Sequence, residues 1–165
     1  MKIIQSTNGY NIQVDDCHYE YLNQFNWRVD SWGYAKSGMN MGPVANYMHR
    51  VIAKLENLPE SEIVDHKDRN KLNNQIDNLR PATKSQNCAN ARVRKDKIHS
   101  NYKGVTYDKH AKKWLAQLTA NKVKLLYKRC ATELQAAKLY DEAAFKAFGE
   151  FAVLNFPEDY KQPQN

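Results

Sequence analysis

The sequence predicts an α+β protein in which short strands and helices alternate along the chain. Between Lys113 and Ala120, apolar and polar residues alternate with the period of two that is typical of a half-buried strand. Asn8-Gly9 separates two short runs of strand-forming residues, which is a hairpin signal. Thr132 is followed three residues later by Gln135, a capping box that marks the start of a helix. These signals together indicate the α+β class.

The composition is that of a basic protein with a modest core. The chain has 165 residues, enough for one ordinary domain or two small ones, and 42% of them are hydrophobic. Lys and Arg number 25 against 18 Asp and Glu, and the resulting charge of +7 indicates a polyanionic partner, although a generic basic protein shares it. No run approaches the roughly 20 apolar residues of a membrane span, and no signal peptide is evident. The three cysteines form no CxxC pair, so we expect reduced thiols.

Residues 1–60 are expected to contain both strands and helices. The predicted elements are, in chain order, a hairpin of strands at Lys2–Gln5 and Tyr10–Val14, a helix that begins at Asp15 or Asp16, two strands around Trp27 and Trp32–Tyr34, and a helix from Tyr47 to about Leu58. In the first helix Tyr19, Leu22 and Phe25 recur at helical spacing. We expect the aromatic residues of this region to form a core; a platform for stacking bases is the alternative.

The stretch from 63 to 90 predicts strand, loop, strand and helix in fewer than about thirty residues. Ile63-Val64 begins the first strand, and a second short apolar run surrounds Ile76 and Leu79. Thr83, with Gln86 three residues later, caps a helix that runs to about residue 91. The small size of this unit brings its polar side chains to one place.

Four of those side chains suit a site that hydrolyses phosphodiesters. Asp65 and Asn87 offer oxygen atoms, which are the ligands of a hard divalent cation such as Mg²⁺. His66, with an ordinary pKa of about 6.5, can take a proton from water at neutral pH. Asn78 is expected to bond the backbone of its own loop and to hold His66 in place. The alternative is ordinary turn chemistry around a solvated Asp-His pair.

The order of these residues, Asp-His, eleven residues, Asn, eight residues, Asn, resembles the catalytic motif of HNH homing endonucleases in the variant whose last His is Asn. The flanking words VDHKDRNKLNNQIDNLR and TKSQN also resemble the phage and intron members of that family. The resemblance implies a ββα-metal nuclease core over residues 61–92. It assigns the metal ligands to Asp65 and Asn87, the general base to His66 and the structural Asn to Asn78.

Basic residues in and beside this core are assigned to DNA. The endonucleases that the chain resembles carry a His-Arg pair before the Asp-His strand, so Arg50 is expected to hold a phosphate; an exposed Arg on a packing helix is the alternative. Residues 93–101 form a basic linker, which we expect to follow a groove and neutralise phosphates, although a solvated linker is the usual form. The residues assigned to DNA in this part of the chain are Arg50, Arg80, Lys84, Arg92, Arg94, Lys95 and Lys103.

Residues 102–157 predict a three-stranded antiparallel sheet packed on one helix. Strands are expected at Tyr102–Tyr107, Lys113–Ala120 and Val123–Tyr127, and a helix from Thr132 to Gly149. The helix face that covers the sheet is predicted to contain Ala136, Tyr140, Ala143 and Ala147. The other face of the sheet is then available to a DNA groove. Its outward positions are Thr106, Lys109, Gln117, Thr119 and Lys124.

This region resembles the plant APETALA and ethylene-response-factor DNA-binding domain, in the form found fused to phage HNH endonucleases. The matching words are YKGVTYD, KKWLAQL, ATELQAAKLYDEAAFKAFGE and FAVLNFP. The resemblance places the outward positions on base- and phosphate-contacting strands. The Leu-Gly-x-Phe that follows the third strand in the family is here Tyr127–Cys130, so we expect a looser last turn and do not carry over the plant target sequence. An outer face that meets protein or water is the alternative, and residues 158–165 form a tail.

The sequence therefore predicts a metal-dependent DNA endonuclease of the homing type, with a nuclease module and a DNA-gripping module. We expect it to nick double-stranded DNA as a monomer, with one Mg²⁺ or Mn²⁺ ion and His66 as general base. No membrane and no small-molecule substrate are expected, and the site of action is the cytoplasm, or the host nucleoid if a phage encodes the chain. The alternatives are a catalytically inert, HNH-like DNA-binding regulator and a nuclease-like structural protein of a phage particle.

Overall fold

The computed structural model describes residues 1–38, 46–61, 63–91 and 100–160, and it shows a mixed α and β protein with small antiparallel sheets. The chain divides into two compact units, residues 1–84 and 85–165, and each unit has its own buried core. The division falls inside the segment 61–92 that the sequence assigns to one nuclease core, and the predicted domain limits stay a prediction. Within the described ranges, no helix has the length and apolar character that a membrane crossing requires.

The described elements follow the predicted order. They are β1 (Lys2–Gln5), β2 (Asn11–Val14), α1 (Asp16–Leu22), β3 (Trp27–Val29), β4 (Ala35–Ser37), α2 (Met48–Leu55), β5 (Ile63–His66), β6 (Leu79–Ala82), α3 (Lys84–Asn90), β7 (Val105–Asp108), β8 (Lys113–Ala120), β9 (Val123–Cys130) and α4 (Glu133–Phe148). β1 pairs with β2, β3 with β4 and β5 with β6, always antiparallel. Gly9 turns the first hairpin at φ +87°, a conformation that favours glycine.

One hydrophobic core joins the elements of the first unit. Its residues that are at most 1% exposed include Ile12, Leu22, Trp27, Met48 and Ile52. The indole N–H of Trp27 donates to the carbonyl of Leu22 at 2.8 Å, which satisfies the one polar atom of the buried ring. Tyr19 and Phe25 pack against this core, as predicted, whereas Trp32 is 74% exposed.

β5 and β6 form the antiparallel ribbon that carries the predicted site. Asp65 lies opposite Arg80 in this pairing. Ile76, which was expected in the second strand, lies instead in a short 3-10 turn before β6. The reason is a tertiary hydrogen bond, because the Asp15 carboxylate accepts from the Ile76 backbone N–H at 2.7 Å and occupies the donor that a strand pairing would use.

The second unit contains the predicted three-stranded sheet, in the order β7-β8-β9, with α4 packed against it. The Thr132 side chain caps α4 by accepting from the Gln135 backbone N–H at 3.2 Å, and Gly149 ends the helix at φ +52°. The buried helix face contains Ala136, Ala137, Tyr140 and Ala144. Ala147 is exposed, contrary to the prediction, because Phe148 covers the core at the last turn of the helix.

β9 is longer than the sequence predicts. It continues through Tyr127 to Cys130, which lies opposite Trp114 on β8 and is 8% exposed. The expected looser last turn is therefore wrong, since burial of Cys130 against the helix layer keeps the strand paired to its end. Lys124 lies opposite Thr119 across a register shift next to Leu118.

Candidate active site and nucleic-acid interface

Asp65 and Arg80 form a buried ion pair across the β5-β6 ribbon. The Nε and Nη2 atoms of Arg80 each lie 3.1 Å from Asp65 Oδ2. The Asp65 side chain is 6% exposed and the Arg80 side chain 8%. A carboxylate buried without a partner costs several kcal/mol, so Arg80 offsets the burial of Asp65. Arg80 was predicted to contact DNA, and that contact stays a prediction; the structure shows its guanidinium paired with Asp65. The strand register, which places it opposite Asp65, is not visible in the sequence.

His66 follows Asp65 at the end of β5 and is 3% exposed. Its Nε2 atom lies 3.4 Å from Asn74 Oδ1, and Asn74 is completely buried. In the tautomer that donates from Nε2 to this amide oxygen, Nδ1 is the acceptor nitrogen of the neutral ring. The contact orients the imidazole.

The His66 ring belongs to a cluster of four aromatic rings. The ring of His49, on α2, lies 5.2 Å from the His66 ring in an edge-on arrangement. The Tyr34 ring lies 5.2 Å from His49 and 6.0 Å from His66, and the Tyr47 ring lies 5.7 Å from His49. The ammonium of Lys71 lies 4.3 Å from the centre of the Tyr34 ring. The cluster places ring surface beside His66, and the His66 side chain has little contact with solvent.

Burial lowers the pKa of both imidazoles. It is the main reason that the pKa of His49 falls to about 3, with the positive charges of His66 and Arg50 acting in the same direction. Burial also lowers the pKa of His66, while the hydrogen bond to Asn74 and the nearby carboxylates act in the opposite direction. Burial, with the charge of Asp65, raises the pKa of Tyr34. Both imidazoles are thus neutral at pH 7, the form that a general base requires.

Asn78 holds together the loop that follows His66. Its side-chain amide donates to Asp68 Oδ1 at 2.9 Å and to the Asn73 carbonyl at 2.8 Å, and its Oδ1 accepts from the Asp68 backbone N–H at 3.0 Å. Although burial opposes it, the hydrogen bonds from Asn73, the Asn70 backbone and Asn78 hold the pKa of Asp68 below its ordinary value. These bonds tie the loop to itself, as expected for Asn in a turn; a role of Asn78 in the reaction stays a prediction.

Asn87 lies in the middle of α3 and is half-buried. Asp65, His66 and Asn78 belong to the first compact unit, whereas Asn87 belongs to the second. The structure therefore brings three of the four motif residues together on the ribbon and its loop, and the partnership of Asp65 with Asn87 stays a prediction.

Known proteins that are similar to the chain indicate its family. Residues 46–89 match the HNH endonuclease family, and this segment includes every residue of the predicted motif. An uncharacterized HNH endonuclease of Acanthamoeba polyphaga mimivirus is 35% identical over 137 residues, which cover 81% of this chain and 68% of the viral protein. The chain belongs to the HNH endonuclease family. DNA is the substrate that this family implies, and no solved structure matches the chain significantly.

Sequence reasoning missed two residues beside His66 of this HNH endonuclease. His49 forms a visible pair with Arg50, but only Arg50 was assigned to the site; the pair was the available signal. Asn74 sits in an Asn-rich loop where no local signal distinguishes it from Asn73. Arg50 itself is half-buried and lines a groove of about 620 Å³ beside α2.

The outward sheet face of the HNH endonuclease is polar at the positions predicted for DNA. Gln117 and Thr119 are exposed on β8, and Lys124 is exposed on β9. Lys109 is exposed in the turn that precedes β8, and Thr106 is half-buried on β7. Contact of these residues with DNA stays a prediction, as does the resemblance to the APETALA domain.

The remaining basic residues assigned to DNA have different surroundings. Lys84 is exposed at the start of α3. Lys103 is half-buried, and its ammonium donates to the carbonyls of Ala89 and Ala91. Three predicted contacts lie outside the described residues: Arg92, Arg94 and Lys95. Lys103 thus contacts the end of α3, a role that its place beside a basic linker did not suggest.

A second group of potential metal ligands lies elsewhere in the first unit. The ligand atoms of Cys17, His18 and Glu56 are all within 4.8 Å of one another. His18 Nε2 and Glu56 Oε1 are 2.6 Å apart, which is a hydrogen-bond distance. Two ligand atoms on one tetrahedral zinc ion are separated by about 3.3 Å. The geometry therefore describes a direct hydrogen bond that joins α1 to the end of α2.

Proposed function

We propose that this HNH endonuclease is of the homing type and nicks double-stranded DNA. The reaction uses one Mg²⁺ or Mn²⁺ ion and His66 as the general base. The observation that carries the proposal is the state of His66: a buried, oriented and neutral imidazole that directly follows Asp65. In the hydrolytic step, the His66 ring takes a proton from the attacking water through Nδ1, while Asn74 holds Nε2. Asn78 keeps the adjoining loop closed.

The chemistry of the motif residues supports a hard divalent cation. Asp65 and Asn87 would hold it, since a carboxylate and an amide oxygen are ligands that Mg²⁺ and Mn²⁺ accept. When bound, such an ion would lower the negative charge at the scissile phosphate and at the leaving oxygen. Arg80 offsets the buried charge of Asp65 before any ion binds, so the carboxylate is held in place on the ribbon.

The second unit is proposed to bind DNA through the exposed face of its sheet. α4 covers one face, and the other face presents Gln117, Thr119 and Lys124 to solvent. A small antiparallel sheet fits a major groove, and the exposed amide, hydroxyl and ammonium groups of these residues supply both base-edge and phosphate contacts. We expect one copy of the chain to act on DNA, because one motif supplies one active site.

Plasmid nicking tests the proposal. Supercoiled plasmid is incubated with Mg²⁺ or with EDTA, and wild type is compared with His66→Ala and Asp65→Ala. Each variant has a matched control on the surface, His110→Ala and Asp77→Ala, because both of those residues are exposed. We expect nicking only with the cation, a loss of at least about 10²-fold in the two site variants and none in the controls.

Two outcomes would contradict this proposal. Unchanged nicking in His66→Ala and Asp65→Ala would remove both residues from the mechanism. Tight, salt-sensitive DNA binding by the wild type, with no nicking under any divalent cation, would leave the non-enzymatic regulator.

A further inference from the structure

The helix that carries Asn87 is bonded at its start to a turn of the C-terminal sheet and at its end to residues that flank this sheet in the sequence. α3 has seven residues, and a helix of this length is not stable on its own in water. Tertiary contacts must therefore hold it, and six of its seven residues belong to the second compact unit. The nature of these contacts determines what else moves when α3 moves.

At its start, α3 is bonded to the turn between β8 and β9. The Ser85 hydroxyl donates to Asn121 Oδ1 at 2.5 Å and accepts from the Asn121 backbone N–H at 3.3 Å. Asn121 and Lys122 form this turn with φ values of +49° and +65°, as a tight hairpin turn requires. The turn connects the two strands that present Thr119 and Lys124, so Ser85 touches the tip of the proposed DNA-binding surface.

At its C-terminal end, α3 is bonded to one residue that precedes β7 and to one that follows α4. The Lys103 ammonium donates to the carbonyl of Ala89 and, at 2.7 Å, to that of Ala91. The Val153 backbone N–H also donates to Ala89, at 3.3 Å. A cation at the carbonyl end of a helix satisfies unpaired acceptors and complements the helix dipole. The backbone of Lys103 is itself held by Asn155, whose Oδ1 accepts from the Lys103 N–H at 2.6 Å.

We propose that Ser85 and Lys103 are positioning residues that fix α3 to the β7-β8-β9 sheet, so that the helix carrying Asn87 moves as one body with the surface proposed to grip DNA. The inference rests on the proposed function for one point, the role of Asn87 as a metal ligand. A DNA duplex that orders the sheet then also orders this ligand, and by reciprocity the cation and DNA strengthen each other's binding.

Four variants of the full chain test this proposal. Ser85→Ala and Lys103→Met remove the two attachments, and Lys103→Arg keeps a cation at the carbonyl end of α3. Lys109→Met is the matched control, since Lys109 is exposed in a turn of the same sheet and is assigned to the DNA-contacting face. Three quantities are measured: amide exchange of α3, DNA affinity in EDTA as a function of salt, and the Mg²⁺ concentration that gives half-maximal nicking.

The two attachment variants should change the helix and the metal requirement but not DNA binding. We expect amide exchange of α3 to be about fivefold faster and the half-maximal Mg²⁺ concentration to rise about tenfold. DNA affinity in EDTA and its salt dependence should stay as in the wild type, and Lys103→Arg should restore all three values. Lys109→Met should weaken DNA binding and reduce the salt slope by about one, with α3 unchanged.

The opposite pattern would overturn the proposal. If Lys103→Met weakens DNA binding and lowers the salt slope as Lys109→Met does, with unchanged exchange in α3, then Lys103 is a phosphate contact and not a positioning residue. If the wild type does not nick DNA, the proposed function fails, and the exchange and salt measurements, which need no cleavage, still decide the roles of Ser85 and Lys103.

Discussion

Replacement of Arg80 by Met tests whether the buried ion pair stabilises the β5-β6 ribbon. The change removes the hydrogen bond from Nε and the ion-pair contact of Nη2, each at 3.1 Å from Asp65 Oδ2, and leaves a side chain that is 6% exposed without this cationic partner. Breaking a buried pair from one side costs about 3–5 kcal/mol. We therefore expect the free energy of unfolding of Arg80→Met to fall by about that amount in the absence of divalent cation.

Urea unfolding followed by tryptophan fluorescence measures this change, because Trp27 is 1% exposed in the core of the same unit. The matched control is the double variant Asp65→Asn, Arg80→Met, which removes both charges from the pair. We expect it to recover at least about 2 kcal/mol of the loss, since the cost arises mainly from an unpaired buried charge.

Divalent cation gives this prediction a second readout. If Asp65 is a metal ligand, then Mg²⁺ at a hundredfold excess over its dissociation constant stabilises Arg80→Met by about 2.7 kcal/mol. The double variant, which lacks the carboxylate, should gain much less. A loss below about 1 kcal/mol in Arg80→Met, or an equal loss in the double variant, would refute the argument that the pair stabilises the ribbon.

Three other measurable responses follow from buried or crowded groups. The pKa of His49 is about 3 in the folded chain against 6.5 for an ordinary His, so the unfolded chain takes up this proton first as pH falls. Stability should therefore drop by roughly 1.4 kcal/mol per pH unit below 6.5, and His49→Gln should lack this part of the slope in urea unfolding. Gly104→Ala would place a methyl group 1.8 Å from the Tyr140 ring, and we expect it to lower stability by more than about 3 kcal/mol in calorimetry, whereas Gly149→Ala meets nothing within 4 Å and costs only about 1 kcal/mol. Asp141 is fully buried and accepts three hydrogen bonds from the segment after α4. Asp141→Ala should therefore lower the stability of the second unit by about 3 kcal/mol, and a lower melting temperature of this unit measures the loss.

Most of the fold could be predicted because its signals are local. The strand Lys113–Ala120 has the predicted bounds, since alternation alone defines it, and Thr132 and Gly149 mark the two ends of α4. The errors occur where a distant residue decides. Asp15 holds Ile76 in a turn, and burial of Cys130 keeps β9 paired beyond its predicted end. Neither contact leaves a periodic trace in the sequence.

The candidate site was predictable as a motif but not as a microenvironment. Residue chemistry and the resemblance to the HNH motif singled out Asp65, His66, Asn78 and Asn87, and the structure places the first three on the ribbon and its loop. Their partners come from elsewhere in the fold. His49 lies on α2, and Arg80, which was assigned to DNA, lies opposite Asp65 in the strand register. The motif gives the residue types and their spacing, whereas tertiary packing determines their burial and their charged partners.

The two neighbouring imidazoles illustrate that last point. His49 and His66 are both buried, and burial lowers the pKa of each. They differ in what opposes burial: among the described groups, the charge of Asp30 favours the protonated form of His49, whereas His66 is helped by its hydrogen bond with the Asn74 amide oxygen, which accepts, and by two nearby carboxylates. A base must be neutral at the working pH and yet still able to take a proton. The pKa of His49, at about 3, makes this ring a poor proton acceptor near neutral pH, and the proposed function therefore assigns the base to His66.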